Sequence, residues 1–349
     1  MLTMRTLSGF TLAATLFTTT TLSMAGSAST AGAVSAAGAA GAAGAASMMS
    51  TASMRSTGAA VADPVPHGFT TFPGAFLASL AKPDESPPGA NDWACAPSAR
   101  RPVPVVLIHG TWANAFNVWN ELAPTLKRDG YCVYALNYGG APGIPLKATA
   151  PVPDSAKELA GFVDKVLTAT GAAEVDLVGH SQGGGVMPRW YLKYHDGGPK
   201  VRKLIGLAPA NHGTTVSGVS TLAAALGILG IPGLKPGDAG PNMFAGSEFN
   251  RVLDQGGDTV PSVEYVTVVS RYDGVVTPYT NQFLTAGPGA KVTNILLQNI
   301  CPLDLTKHLD MTYAPAALQL VRNHLDPATA RQPSCRPALP FISRLRPQR

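Results

Sequence analysis

Val175-Asp-Leu-Val-Gly-His-Ser-Gln-Gly-Gly184 places a short apolar run directly before a Gly-x-Ser-x-Gly motif. A serine between two glycines at that junction reads as a nucleophile elbow, where a buried strand ends and a helix begins. The serine sits in a strained backbone conformation, and side chains at the glycine positions would collide with the neighbouring strand and helix. In a chain with 37 glycines the same five residues also arise as an ordinary Gly/Ser loop. The strand-like run before them and the helix-compatible Gly184–Lys193 after them favour the elbow, and with it chemistry at an activated Ser181 hydroxyl.

Elements of alternating type flank the elbow on both sides. Val103–His109 is a β-branched apolar run ending in His109-Gly110, and Asn117–Lys127 carries Val118, Leu122 and Leu126 at helical intervals. Tyr131–Asn137 reads as a strand, Ser155–Thr168 as an amphipathic helix, and Met187–Tyr194 as the helix leaving the elbow. Val201–Ala208, Val263–Ser270 and Val292–Leu297 supply further strands. This alternation predicts an α/β fold with a mostly parallel central sheet and helices on both faces. Sites in such sheets gather at the carboxyl ends of strands, where His109, Ser181 and Ser270 fall. The rhythm fails over 213–258. There Val219–Leu234 is almost wholly apolar, which fits a buried helix and a lid or acyl-pocket wall equally well.

An elbow serine needs a base, because a neutral hydroxyl is a poor nucleophile. The order serine, acid, histidine along the chain removes His67 and His109, and His180 lies inside the elbow. His195 ends the elbow helix, His212 follows too soon for an acid to intervene, and His324 ends the last apparent helix. His308, on a loop after the last strand, is the expected base. Asp273, in Ser270-Arg-Tyr-Asp-Gly274 after a strand, is the expected acid, although Asp-Gly is also a common turn. Asp304, four residues before His308, is the runner-up. An Asp304/His308 metal pair lacks a third ligand, so no metal and no cofactor are expected. The backbone N–H groups of Gln182 and Thr111, the latter with its hydroxyl, are the expected oxyanion donors, and Trp112, Asn114 and Phe116 should border the pocket.

The ends of the chain read differently. Arg5, the apolar stretch Phe10–Phe17 and Ser23-Met-Ala25 predict an export signal over 1–25, followed by a disordered Ala/Gly/Ser-rich leader over 26–62. The catalytic domain is expected over 63–326 and a basic tail over 327–349. The net charge of +5 is modest. Much of it sits in a tail whose arginines alternate with prolines and not with aromatics, which excludes a nucleic-acid pattern. Four cysteines in an exported chain predict two disulfides. Of the three pairings, Cys95 with Cys132 and Cys301 with Cys335 is preferred. It ties the segment before the first strand to the second strand and staples the tail; the spacings leave the other two open. Scattered positions argue against a cysteine metal site.

Together, Pro104–Thr111, Val175–Gly184, Ala208-Pro-Ala-Asn-His-Gly-Thr214, Asp273-Gly-Val-Val-Thr-Pro278 and Cys301–His308 resemble the class 2 bacterial secreted lipases and, more distantly, yeast lipase B. The resemblance implies an α/β-hydrolase fold and hydrolysis of triacylglycerols or other carboxylic esters. It implies Ser181 as nucleophile, Asp273 as acid, His308 as base, and an oxyanion hole of Thr111 and Gln182. It also favours the Cys301–Cys335 pairing. The elbow opens Gly-His where yeast lipase B has Thr-Trp, and beyond Ser217 the match is too weak to transfer a lid. The expected protein is therefore a secreted ester hydrolase whose partner is a lipid or other ester, with a lipid–water interface in view. Short-chain esterase, polyester hydrolase and acyltransferase use the same residues, and a non-catalytic binding protein on this scaffold is the alternative of another class.

Overall fold

Six parallel strands form one sheet in the computed structural model, which describes residues 65–227 and 237–335. They are β1 (Val105–Ile108), β2 (Val133–Leu136), β3 (Val175–His180), β4 (Val201–Leu207), β5 (Glu264–Val269) and β6 (Lys291–Leu296), in the order β2-β1-β3-β4-β5-β6. The parallel sheet of the sequence reading is borne out. Strands β1 to β5 are buried almost throughout and largely apolar because both faces are covered, whereas the edge strand β6 is partly exposed and mixed in character. Successive residues of β1 divide between two cores: Val105 and Leu107 join one cluster, Val106 and Ile108 the other.

The first core is closed by α1 (Phe72–Ala81), α2 (Ala115–Trp119) and α3 (Leu122–Arg128), and the second by α4 (Val152–Thr170) and α5 (Val186–Tyr194). Then follow α6 (Val216–Ala225), α7 (Ala239–Asn242), α8 (Glu248–Asp254), α9 (Leu297–Ile300) and α10 (Pro315–Leu325), the last packing into the first core. Asp176 is the charged exception inside β3. Its buried carboxylate accepts from Arg202 Nε at 2.9 Å, without which a carboxylate there would cost several kcal/mol.

The helix expected over Asn117–Lys127 is two helices. Pro124 lacks an N–H and its ring would strike the carbonyl of Asn120, so a new helix starts at Leu122 with the proline in its first turn. The helix expected from Ser155 begins three residues earlier, at Val152, and stops at Gly171, whose φ of 66° suits a glycine C-cap. Within 213–258, α6 is no wholly buried helix: Leu222 and Ala223 face the core while Val216 is 67% exposed. It ends before Gly227, and 228–236 lie outside the described residues. So do the expected export signal, the leader and the tail beyond Cys335. Disulfides join Cys95 to Cys132 and Cys301 to Cys335. Among the described residues no helix is long and apolar enough to cross a membrane.

Candidate active site

The backbone turns sharply after β3, and Ser181 takes a φ of 56°, the left-handed region that L side chains rarely adopt. A Cβ on Gly179 would lie 1.8 Å from the Gly183 carbonyl oxygen, and one on Gly183 would lie 2.1 Å from that of His109. No side chain fits either place, so the glycines of the motif are steric requirements. Ser181–Gly184 forms a tight 3-10 turn leading into α5. The first N–H groups of such a turn, Gln182's among them, have no partner within it.

Register supplies the next component. Ile108 pairs with Gly179, which brings His109-Gly-Thr111 alongside the elbow; a Cβ on Gly110 would lie 2.8 Å from that of Ser181. Thr111 and Ser181 line one pocket of about 20 Å³, little more than the ~10–15 Å³ that seats one water. The Thr111 hydroxyl is buried there and has no hydrogen-bond partner among the described residues. Trp112, Leu222, Met243 and Val275 give the pocket an apolar wall. Of the three residues expected to border it, Trp112 does. Asn114 instead caps α2 by accepting from Asn117 N at 3.0 Å, and Phe116 packs edge-on against Phe69.

Asp273 lies just past β5 and His308 past β6. His308 Nδ1 donates to Asp273 Oδ2 at 2.8 Å, and both side chains are buried. Asp273 also accepts from Val275 N and Val276 N on Oδ1, at 2.8 and 2.9 Å, and from Gln282 Nε2 on Oδ2 at 3.0 Å. Asp304, the runner-up acid, accepts from Thr306 N at 2.8 Å and so shapes the loop carrying the histidine. Ser270 ties the two loops together: its hydroxyl donates to Thr306 O at 2.6 Å.

Since an ionised carboxylate only accepts, Nδ1 carries the proton and Nε2 keeps its lone pair. Nε2 is buried and makes no hydrogen bond, to Ser181 or to any other described group. The His308 ring lies 4.8 Å from that of His180, the residue preceding Ser181. His180 Nε2 is 3.0 Å from His308 O, a carbonyl that can only accept, so His180 donates there. Burial, and then the neighbouring His308, hold the His180 imidazole well below its ordinary range, so it stays neutral beside His308. His109 is likewise pushed down to about 4, by burial. Its carbonyl and Gln182 Oε1 both lie within hydrogen-bond distance of the Tyr138 hydroxyl, at 2.8 and 3.0 Å.

Sequence reasoning gave no role to His180, Tyr138 or Gln282. The elbow motif leaves the residue before its serine open, and neither Tyr138 nor Gln282 lies in a pattern that marks it. For metals, His212, Asp254 and Asp258 bring ligand atoms within 4.8 Å of one another. The buried Arg189 guanidinium already bonds both carboxylates, at 2.9 and 3.3 Å, and supplies the positive charge from within the protein.

A family model described as alpha/beta hydrolase fold matches residues 103–227. The chain is 35% identical over 86 residues to triacylglycerol lipases of Pseudarthrobacter phenanthrenivorans and Burkholderia plantarii. Each stretch is 23% of this chain, and the chain spans about a quarter of the length of these relatives: 25% and 23%. Among solved structures, Aspergillus fumigatus lipase B is similar with a TM-score of 0.52 and 22% identity, over 71% of this chain and 60% of that one. The mature form of Bacillus licheniformis lipase BlEst2 is similar with a TM-score of 0.50 and 19% identity, over 66% and 94%. From its sheet order, its elbow and these likenesses, the chain has the α/β-hydrolase fold.

Proposed function

We propose that this protein is a secreted carboxylic ester hydrolase of the lipase or esterase kind, akin to the class 2 bacterial secreted lipases, with Ser181, His308 and Asp273 as nucleophile, base and acid. The observation that carries the reading is the 2.8 Å Asp273–His308 hydrogen bond beside an elbow serine, with His308 Nε2 left unpartnered. In unliganded enzymes the serine–histidine contact is often long and tightens with substrate.

Nε2 takes the Ser181 proton as Oγ bonds to the ester carbonyl carbon, and the carbonyl electron pair moves onto oxygen. The oxyanion accepts from Gln182 N–H and from the Thr111 N–H and hydroxyl. As the intermediate collapses, the C–O bond to the alcohol breaks and the imidazolium returns its proton to that oxygen. Water then attacks the acyl-serine, again giving a proton to His308, and the acid leaves as Ser181 is reprotonated. Asp273 stabilises the imidazolium in both halves, and a neutral His180 adds no like charge against it. No cofactor enters these steps.

The lipase likenesses and the apolar pocket wall support esters with apolar acyl groups. The narrowness of the pocket favours, as a second reading, short acyl chains. We further assign 1–25 as an export signal, 26–62 as a leader and 63–326 as the catalytic domain; two disulfides fit an oxidising compartment. An organophosphonate should label Ser181 covalently, and Ser181→Ala should lose labelling together with roughly 10⁴-fold or more of turnover. Full turnover by that variant, or labelling elsewhere, refutes the assignment.

A further inference from the structure

A second cleft, of about 260 Å³, lies at the opposite end of the sheet from Ser181. Arg100 and Arg101 lead into β1, Asp129 and Tyr131 lead into β2, and Arg322, Asp326 and Arg331 belong to the end of α10 and the segment after it. Five arginines line the cleft, Arg128 being the fifth, against two aspartates. The positive charge is therefore in excess.

Two of the guanidiniums are fixed. Arg322 donates to both Asp129 carboxylate oxygens, at 2.7 and 3.0 Å, and to Gln319 Oε1 at 3.2 Å. Arg101 pairs with Asp326 at 2.5 Å, donates to Asp129 O, and lies 4.7 Å over the Tyr131 ring. A guanidinium has five N–H groups, so these bonds leave donors on Arg322 unused. Arg100 and Arg331 are exposed, and no carboxylate among the described residues pairs with either. A walled concavity with a net positive charge, five arginines against two aspartates, focuses field lines onto an anion. Planar forks suit phosphate oxygens, and the volume is many times the ~10–15 Å³ that seats a water.

We propose that this cleft binds a phosphate-type anion carrying two or more charges, of the diphosphate or polyphosphate class, free in solution. The placement decides against a lipid headgroup: a membrane held at this end would leave the Ser181 pocket, at the carboxyl ends of the strands, facing away from it. The site stands independently of the ester-hydrolase reading.

The test is calorimetric titration of the full chain with pyrophosphate at constant ionic strength. Binding should saturate at one anion per chain and weaken with added salt. The double variant Arg100→Gln, Arg331→Gln removes two charges and should weaken it about a hundredfold, at about tenfold per charge-assisted bond, with the melting temperature without ligand unchanged. A response no greater than that to sodium chloride of the same ionic strength overturns the proposal, as does undiminished binding by the variant. Citrate binding as tightly as pyrophosphate would overturn the phosphate assignment. Capture of wild type, but not the variant, by phosphatidylglycerol vesicles with no pyrophosphate binding would make the anion a lipid headgroup and overturn the soluble ligand.

Discussion

Four donors surround the Asp273 carboxylate, and His308 is one of them. The two backbone N–H groups hold Oδ1, while Gln282 shares Oδ2 with the histidine. Gln282→Leu leaves Oδ2 with one donor and lets the carboxylate swing away from Nδ1. A charge-assisted hydrogen bond contributes about 1.5–3 kcal/mol, so kcat should fall roughly tenfold. KM should hold, because Gln282 does not line the pocket; steady-state kinetics on a soluble ester, with melting measured alongside, checks the split. Glycines divide sharply by surroundings. In Gly183→Ala the new Cβ meets the His109 carbonyl at 2.1 Å, so β1 and with it Thr111 must shift; about 3 kcal/mol of stability should go, together with activity. Gly161→Ala in α4 meets nothing within 4 Å and should add about 0.5–1 kcal/mol through helix propensity. Urea unfolding of the two variants separates the cases by sign.

Helix α6 covers the pocket through Val219 and Leu222, and α7 abuts it at Gly240. Only about 20 Å³ lies between these elements beside Ser181, so kcat/KM for soluble esters should be highest for short chains and fall with length. Leu222→Ala removes most of one wall. One methylene in a hydrophobic pocket is worth about 1–3 kcal/mol, so the ratio of longer-chain to acetyl ester hydrolysis should rise about tenfold. An unchanged ratio would show that the chain lies elsewhere. No helix is expected from the sequence at Phe72–Ala81, where α1 forms. Leu77 and Leu80 on α1 are 68% and 46% exposed while Phe72 and Ala75 are buried, so apolar residues fall on several sides and no periodic stripe marks the helix.

His212, Asp254, Asp258 and Arg189 clamp together the loop after β4, the end of α8 and the elbow helix α5. Burial pushes the His212 imidazole down, but hydrogen bonds to Asp254 and Asp258 outweigh it and raise the group to about 9, against about 6.5 in the unfolded chain. A raised folded value means that the protonated form stabilises. Its contribution, up to about 3 kcal/mol, is complete below about pH 6.5 and disappears as pH rises toward 9. Stability by urea unfolding should therefore decline across that window in the wild type and decline less in His212→Gln, the variant being weaker at pH 6. Sheet and helix alternation were legible over most of the molecule because buried strands and amphipathic helices leave their period in the apolar residues. The clamp was not, since its four side chains come from segments up to 69 residues apart.

The sequence settled what depends on close neighbours along the chain. Gly179 leaves the elbow one workable geometry, because any larger residue there collides with the Gly183 carbonyl four positions on, and alternating apolar runs must bury themselves as a covered parallel sheet. The tertiary structure decided which distant groups meet. Asp273, and not Asp304, reaches His308; Asn114 turns to cap a helix and leaves the pocket to Trp112; five arginines from four segments converge on one cleft. Such meetings follow from strand register and layer packing, which fix distances between residues that no local spacing relates.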